Sequence, residues 1–156
     1  MRFSQRTEYS LRALVELGRR AEAAAQAGKE PCPVPSREVA AAQRIPERFC
    51  EQVLADLRRA GFIESQRGAT GGVRLARDPA TLTVSEVVDV AEGAVVTQAC
   101  LDPFDDDARA QAHSSIQELW LDVQITIRER LASVTLADLI KRQDELDRTS
   151  YLVFQI

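Results

Sequence analysis

The stretch SREVAAAQRIPERFCEQVLADLRRAGFIESQRGATGGVRLAR, residues 36–77, decides the fold. Pro35 and Ser36 open a short helix over residues 36–43, since a serine oxygen can accept from the free amides of a first helical turn. Arg44 and Ile45 form a brief turn. Pro46, with a helical φ already set and no amide to satisfy, suits the first turn of a second helix running to about Ala60. The spacing predicts that this helix buries Phe49, Cys50, Val53, Leu54 and Leu57, leaving Arg48, Glu51, Gln52, Ala55 and Arg59 on its other side. Gly61 stops it. Phe62 and Ile63 follow, and Arg67-Gly68-Ala69-Thr70-Gly71-Gly72-Val73-Arg74-Leu75 then reads as a hairpin with basic residues on both arms. Helix, tight turn, helix and basic hairpin, in this order, match a helix-turn-helix whose second helix enters the major groove of DNA with a wing beside it. The expected fold is mainly α with a small β wing. The residues expected to meet DNA are Ser36, Arg37, Arg48, Glu51, Gln52, Ser65, Arg67, Gly68, Gly71, Gly72 and Arg74.

Charge is distributed to match. The whole chain is acidic, with 20 basic and 24 acidic residues, yet residues 1–77 hold 14 basic and 9 acidic ones, a net of +5. Residues 78–156 hold 6 and 15, a net of −9, so an acidic half should face away from phosphate. Of the basic residues 18 are Arg and only Lys29 and Lys141 are Lys, so phosphate contacts would be guanidinium forks.

At 156 residues the chain can bury one good core, or a small core plus an interface with a second copy. No apolar run approaches the ~20 residues of a membrane span, and the opening Met1-Arg2-Phe3-Ser4 lacks a signal-peptide core, so a cytoplasmic protein is expected. Cys32, Cys50 and Cys100 stand 18 and 50 positions apart, which speaks against a disulfide framework and a structural zinc site. One His, no Gly-rich phosphate loop opening a helix and no nucleophile beside a base leave an enzyme with no support. A winged helix that binds an acidic protein through its basic face is the alternative class.

The remaining pattern is mostly helical. Residues 4–27 read as a long helix with Leu11, Leu14, Val15 and Gly18 along one side, joined to the helix-turn-helix by a Pro-broken loop over residues 28–35. Thr83-Val84-Ser85-Glu86 has the capping-box pattern for a helix through Val90. Residues 93–108 read as a loop with an acidic centre, Asp102 and Asp105-Asp106-Asp107, and a long helix spans residues 108–134. Thr135-Leu136-Ala137-Asp138 caps a last helix ending near Asp147, before a β-prone tail, Tyr151-Leu152-Val153-Phe154-Gln155-Ile156. The division expected is a winged helix-turn-helix domain over residues 1–80 and an effector loop with a helical dimerisation region over residues 81–156.

In the long helix Ile116, Trp120, Val123 and Ile127 fall near heptad spacing, and Leu119, Leu121, Ile125 and Leu131 widen the apolar surface beyond one face. A small domain covers one face only, so the seam predicts a homodimer, and a two-fold dimer would read an inverted repeat.

These residues together resemble the Rrf-type (IscR/NsrR/CymR) family of bacterial winged helix-turn-helix regulators over essentially the full length. The resemblance rests on Met1-Arg2-Phe3-Ser4 with Tyr9-Ser10-Leu11-Arg12-Ala13-Leu14, and on Phe49-Cys50-Glu51-Gln52-Val53-Leu54-Ala55-Asp56-Leu57-Arg58. Ala60-Gly61-Phe62-Ile63, the wing Arg67-Gly68-Ala69-Thr70-Gly71-Gly72, and Leu119-Trp120 with Val134-Thr135-Leu136-Ala137-Asp138-Leu139 extend it. It implies a homodimeric transcription factor, with repression of an inverted-repeat operator as the expected action. Many members hold an iron–sulfur cluster on three cysteines before the long helix. Here only Cys100 falls near such a position, Ser114 and Gln117 occupy others, and Glu8 and His113 are the remaining candidate donors. The resemblance is therefore to the clusterless, CymR-like branch, with no cofactor; a cluster on Cys100, His113 and Glu8 is the alternative. That branch implies a response through a partner enzyme, for which the carboxy-terminal tail is the candidate surface, or through a thiol, for which Cys32 between Pro31 and Pro33 is the candidate. Cys50 faces the helix-pair core and is expected to be inert.

Overall fold

The structure, a computed structural model, describes residues 3–68, 71–92 and 115–153, with only the backbone of residues 116, 117 and 150–153. Within them the order is α1 (Gln5–Gln26), α2 (Ser36–Gln43), α3 (Glu47–Arg59), β1 (Ile63–Gln66), β2 (Gly72–Leu75), α4 (Val84–Glu92), α5 (Ser115–Ala132) and α6 (Leu136–Val153). The fold is mainly α, with β1 and β2 pairing antiparallel, as the residue pattern predicts.

Helix α1 is the hub of the molecule. Ser4 caps it by accepting from the Thr7 amide at 3.2 Å. Its buried stripe of Ala13, Leu14, Leu17 and Gly18 meets α2, α3, β2, α4 and α6. Gly18 is where α6 comes closest. A Cβ added there would lie 2.2 Å from Cδ1 of Ile140, a side chain with no exposed surface of its own. Leu136 and Ile140 of α6 thus enter the same core as Leu14, Val39, Val53 and Leu57. Arg19 adds ion pairs from α1 to Asp144 and Asp147, each at 2.8 Å.

Both capping boxes form. The Thr83 amide donates to Glu86 at 2.9 Å while the Glu86 amide donates to the Thr83 hydroxyl at 3.3 Å, and Thr135 and Asp138 repeat the exchange at 2.9 and 3.2 Å. The two caps lie side by side: the Val84 amide donates to the Val134 carbonyl at 2.9 Å and the Leu136 amide to that of Leu82 at 2.8 Å. The starts of α4 and α6 are therefore fixed to one another.

Three boundaries differ from the sequence reading. Helix α5 ends at Ala132 rather than at residue 134. Helix α4 continues past Val90 to Glu92. Helix α6 does not stop near Asp147 but runs on through Val153, so Tyr151, Leu152 and Val153 are helical rather than β-prone. No Gly or Pro follows Asp147 to break the ladder, and helix propagation costs little once a helix is under way. The loop expected over residues 93–108, the start of the long helix at Ala108, and the tail from Phe154 lie outside the described residues.

Candidate nucleic-acid interface

The turn of the helix-turn-helix is a Schellman closure. The Arg44 amide donates to the Ala41 carbonyl at 3.2 Å and the Ile45 amide to that of Ala40 at 2.9 Å. Arg44 adopts the left-handed conformation this demands, φ 51° and ψ 41°, at a position glycine would fill more easily. Ile45 is buried beneath the turn and Pro46 takes the N-cap of α3. At the far end of α3 the same pair of bonds, Gly61 to Arg58 and Phe62 to Leu57 at 3.0 and 2.9 Å, is made with glycine in place.

Helix α3 buries Cys50, Val53, Leu54 and Leu57 and exposes Arg48, Glu51, Gln52, Arg58 and Arg59, with Ala55 half-buried. Phe49 is a correction: it is 50 % exposed, not part of the core. It lies about 90° around the helix from the centre of the buried stripe at 3.6 residues per turn, on the flank facing α1. There its ring meets Tyr9 in an edge-to-face contact, centroids 6.3 Å apart. That flank also carries Asp56, a buried carboxylate held by Arg6 of α1 and by Arg59. Asp56 is a positioning group that helical spacing does not single out, and it engages Arg59, which spacing alone leaves as free surface.

The wing is pinned at its base. β1 and β2 pair Ile63 with Leu75, Glu64 with Arg74, Ser65 with Val73 and Gln66 with Gly72. Val34, in the loop before α2, adds a bridge to Val73. A Cβ on Gly72 would lie 2.4 Å from the Val34 carbonyl carbon and 2.5 Å from its oxygen, so only glycine admits this approach. Gly68 and Gly71 close the turn through an amide-to-carbonyl bond of 2.9 Å, and Ala69 and Thr70 at the tip lie outside the described residues.

The cationic residues sort into two groups. Arg74 pairs with Glu64 at 2.6 Å, Arg77 with Glu86 at 2.8 Å, and Arg20 with Glu16 and Glu38 at 2.8 and 3.1 Å. Arg37, Arg44, Arg48 and Arg67 are exposed and have no ion pair among the described residues, while Arg58 reaches only the Ser65 hydroxyl at 3.4 Å. Ser36 is the first residue of α2 and half-buried, but the N-cap is Pro35 and no side chain caps the helix, contrary to the serine cap expected. Arg37 follows Ser36, Arg44 sits in the turn, Arg48 in the first turn of α3, and Arg67 in the wing. Arg44 and Arg58 carry no sequence signal that singles them out, whereas Arg74, which does, is already engaged across the hairpin.

Helix α5 packs on α4, yet leaves Leu119, Trp120, Leu121 and Ile125 exposed, Trp120 by 60 %. Val123 and Ile127 are half-buried and Ile116 has no described side chain. Cys32 is exposed; Cys50 is fully buried, and burial, with the Glu51 charge, pushes its thiol up to about 11. Glu8 is exposed and pairs with Arg12 at 3.3 Å, while Cys100 and His113 lie outside the described residues. Among the described residues no group of three His, Cys, Asp or Glu could hold a metal ion, and no helix is long and apolar enough to cross a membrane.

Residues 3–142 match the Rrf2 family, described as iron-dependent transcriptional regulators. The chain is 29 % identical over 144 residues to the HTH-type transcriptional regulator CymR of Bacillus subtilis (strain 168), covering 92 % of this chain and 93 % of that one. Among solved structures it is similar to T. potens IscR, with 32 % identity, a TM-score of 0.70, and coverage of 94 % and 90 % of the two chains. The B. subtilis CymR structure, the global cysteine regulator, superposes with a TM-score of 0.71 at 26 % identity, covering 91 % of this chain and 98 % of that one.

Proposed function

Because the chain belongs to the Rrf2 family of transcriptional regulators, we propose that it represses transcription as a homodimer bound to an inverted-repeat operator, without a resident iron–sulfur cluster. The observation that carries the DNA reading is that Arg37, Arg44, Arg48 and Arg67, on α2, the turn, α3 and the wing, are exposed and have no ion pair among the described residues. Elsewhere in the same half, Arg6, Arg12, Arg19, Arg20, Arg59, Arg74 and Arg77 are engaged by carboxylates. A guanidinium without a carboxylate partner is available for a phosphate fork.

In this reading Arg48, Glu51 and Gln52 face base edges from the first two turns of α3, with Gln52 suited to adenine and Glu51 to the cytosine amino group. Ser36, Arg37, Arg44 and Arg67 meet backbone phosphates. Ser65, Gly68, Gly71 and Gly72 shape the wing, and Arg74 holds it through Glu64. Residues 1–80 form the DNA-binding unit. Residues 81–156 carry dimerisation through the exposed apolar surface of α5, where Leu121 and Ile125 widen the seam of Ile116, Trp120, Val123 and Ile127. The mass of apolar surface left open on α5 supports a second copy as its cover.

Ligand count supports the absence of a cluster. Cluster iron is held chiefly by thiolates. Of three cysteines, Cys50 is a protonated packing group in the core and Cys32 stands on the loop before α2. These residues do not fit a resident cluster, and of the two described cysteines Cys32 is the one open to solvent chemistry. Selection from a random duplex pool tests the reading: enrichment of an inverted repeat is expected, and enrichment of a single unpaired half-site, or of nothing, contradicts it.

A further inference from the structure

Phe49 combines three features that a packing residue does not need. It stands in the first turn of α3, between Glu47 and Gln52, the end of a recognition helix that faces base edges. Its ring is half exposed although the helix has an apolar core immediately behind it. And it is braced: Tyr9 packs against it in a T-shaped contact with ring centroids 6.3 Å apart, Arg12 lies over the Tyr9 ring at 5.8 Å, and Arg12 also donates to the Gln43 carbonyl at the end of α2. The ring is thereby held against α1 while half of the residue remains open to solvent.

A phenyl ring has no polar atom with which to hold phosphate. Exposed on the α1-side flank of the same first turns that carry Arg48 and Gln52, it borders the surface they present, and the floor of the major groove offers one apolar group, the C5 methyl of thymine. Resting on the DNA reading above, we infer that Phe49 determines specificity by seating against a thymine methyl in each half-site. Tyr9 and Arg12 are its positioning residues, and Gln52, one turn away on the same flank, places the adenine it reads within a base pair or two of that thymine.

The test replaces each thymine of the selected duplex in turn by deoxyuridine, which removes the methyl and nothing else. For the wild-type protein one position per half-site should lose affinity about fourfold, the effect of one methyl group returned to water. In Phe49→Ala that loss should already be present with thymine and should not grow with deoxyuridine, while the salt dependence stays that of wild type. Should Phe49→Ala lose its helical circular dichroism, Phe49→Gln, which keeps side-chain length on Tyr9 but offers no ring, takes its place with the same expected insensitivity. Equal deoxyuridine losses in wild type and variant, or unchanged affinity of the variant for the thymine duplex, overturn the inference and leave the DNA reading intact. A wild-type protein that enriches no duplex refutes the DNA reading itself, and the Phe49 contact with it.

Discussion

Val34 and Val73 exchange a pair of backbone hydrogen bonds, 2.8 and 2.9 Å, that tie the wing to the loop leading into α2. Through them the hairpin and the helix-turn-helix hold one relative placement, and Gly72 is the residue that permits the approach. Gly72→Ala forces backbone apart, because its Cβ would meet a carbonyl group rather than a movable side-chain end. A loss of about 1–3 kcal/mol is expected from overpacking of this kind, read by urea denaturation. A variant as stable as wild type would show that the bridge does not hold the wing.

Arg44 holds a left-handed conformation that glycine adopts without cost. Arg44→Gly should therefore raise stability by roughly 0.5–1 kcal/mol, glycine's extra freedom in the unfolded chain offsetting part of the gain. If its guanidinium meets phosphate, the same substitution weakens DNA binding. The plot of log affinity against log salt then becomes shallower by about 0.9 for each phosphate no longer neutralised, or about 1.8 per dimer. A variant more stable and equally tight would remove Arg44 from the interface. Local strain retained where a charged side chain gains a functional position is the pattern expected of a binding site.

The cysteines should separate cleanly by reactivity. Cys32 is exposed and should react with a neutral aromatic disulfide in the native protein, whereas Cys50, buried and with its thiol pushed up to about 11, should react only on unfolding. Mass spectrometry of peptides after brief labelling distinguishes them. Labelling of Cys50 at the rate of Cys32 would contradict the buried placement of the helix-pair core.

Glu92 closes α4 against the start of α1. The Thr7 hydroxyl, then the Ser4 side chain and amide, hold its carboxyl below the usual glutamate range. A carboxyl with a lowered folded pKa stabilises the native state fully above the unfolded value, and that contribution is lost as pH falls through the ordinary glutamate range toward the lowered one. Wild type should thus exceed Glu92→Gln in stability above about pH 5, and the gap should close on acidification. A gap that widened toward acid would reverse the assigned sign.

The helix-turn-helix was legible because its signals are local: Pro46 at a cap, Gly61 at a stop, and a 3.6-residue stripe of Cys50, Val53, Leu54 and Leu57. Both capping boxes were equally plain, since three residues separate Thr83 from Glu86 and Thr135 from Asp138. What escaped depends on contacts across the chain. Phe49 reads as core until α1 places Tyr9 rather than a pocket beside it, and Asp56, three residues before Arg59, reads as an ordinary surface pair until Arg6 arrives from α1 and buries it. Arg74 looks free because cross-strand register, which sets it opposite Glu64, follows from how the turn closes. The end of α6 escaped for the converse reason. Aromatic and β-branched residues favour strands only through the packing a sheet surface gives them, and here Tyr151, Leu152 and Val153 continue a helix already under way.

The most direct measurement is a titration of the full-length protein against its selected duplex from 50 to 200 mM salt, with stoichiometry read at saturation. With Arg37, Arg44 and Arg67 on phosphate in each protomer, roughly six backbone contacts per dimer should be made, and affinity should fall by about a thousandfold across that range. Two protomers should occupy each inverted repeat. Affinity that does not change with salt, or saturation by one protomer on a site without two-fold symmetry, would contradict a dimer reading DNA through α3 and the wing.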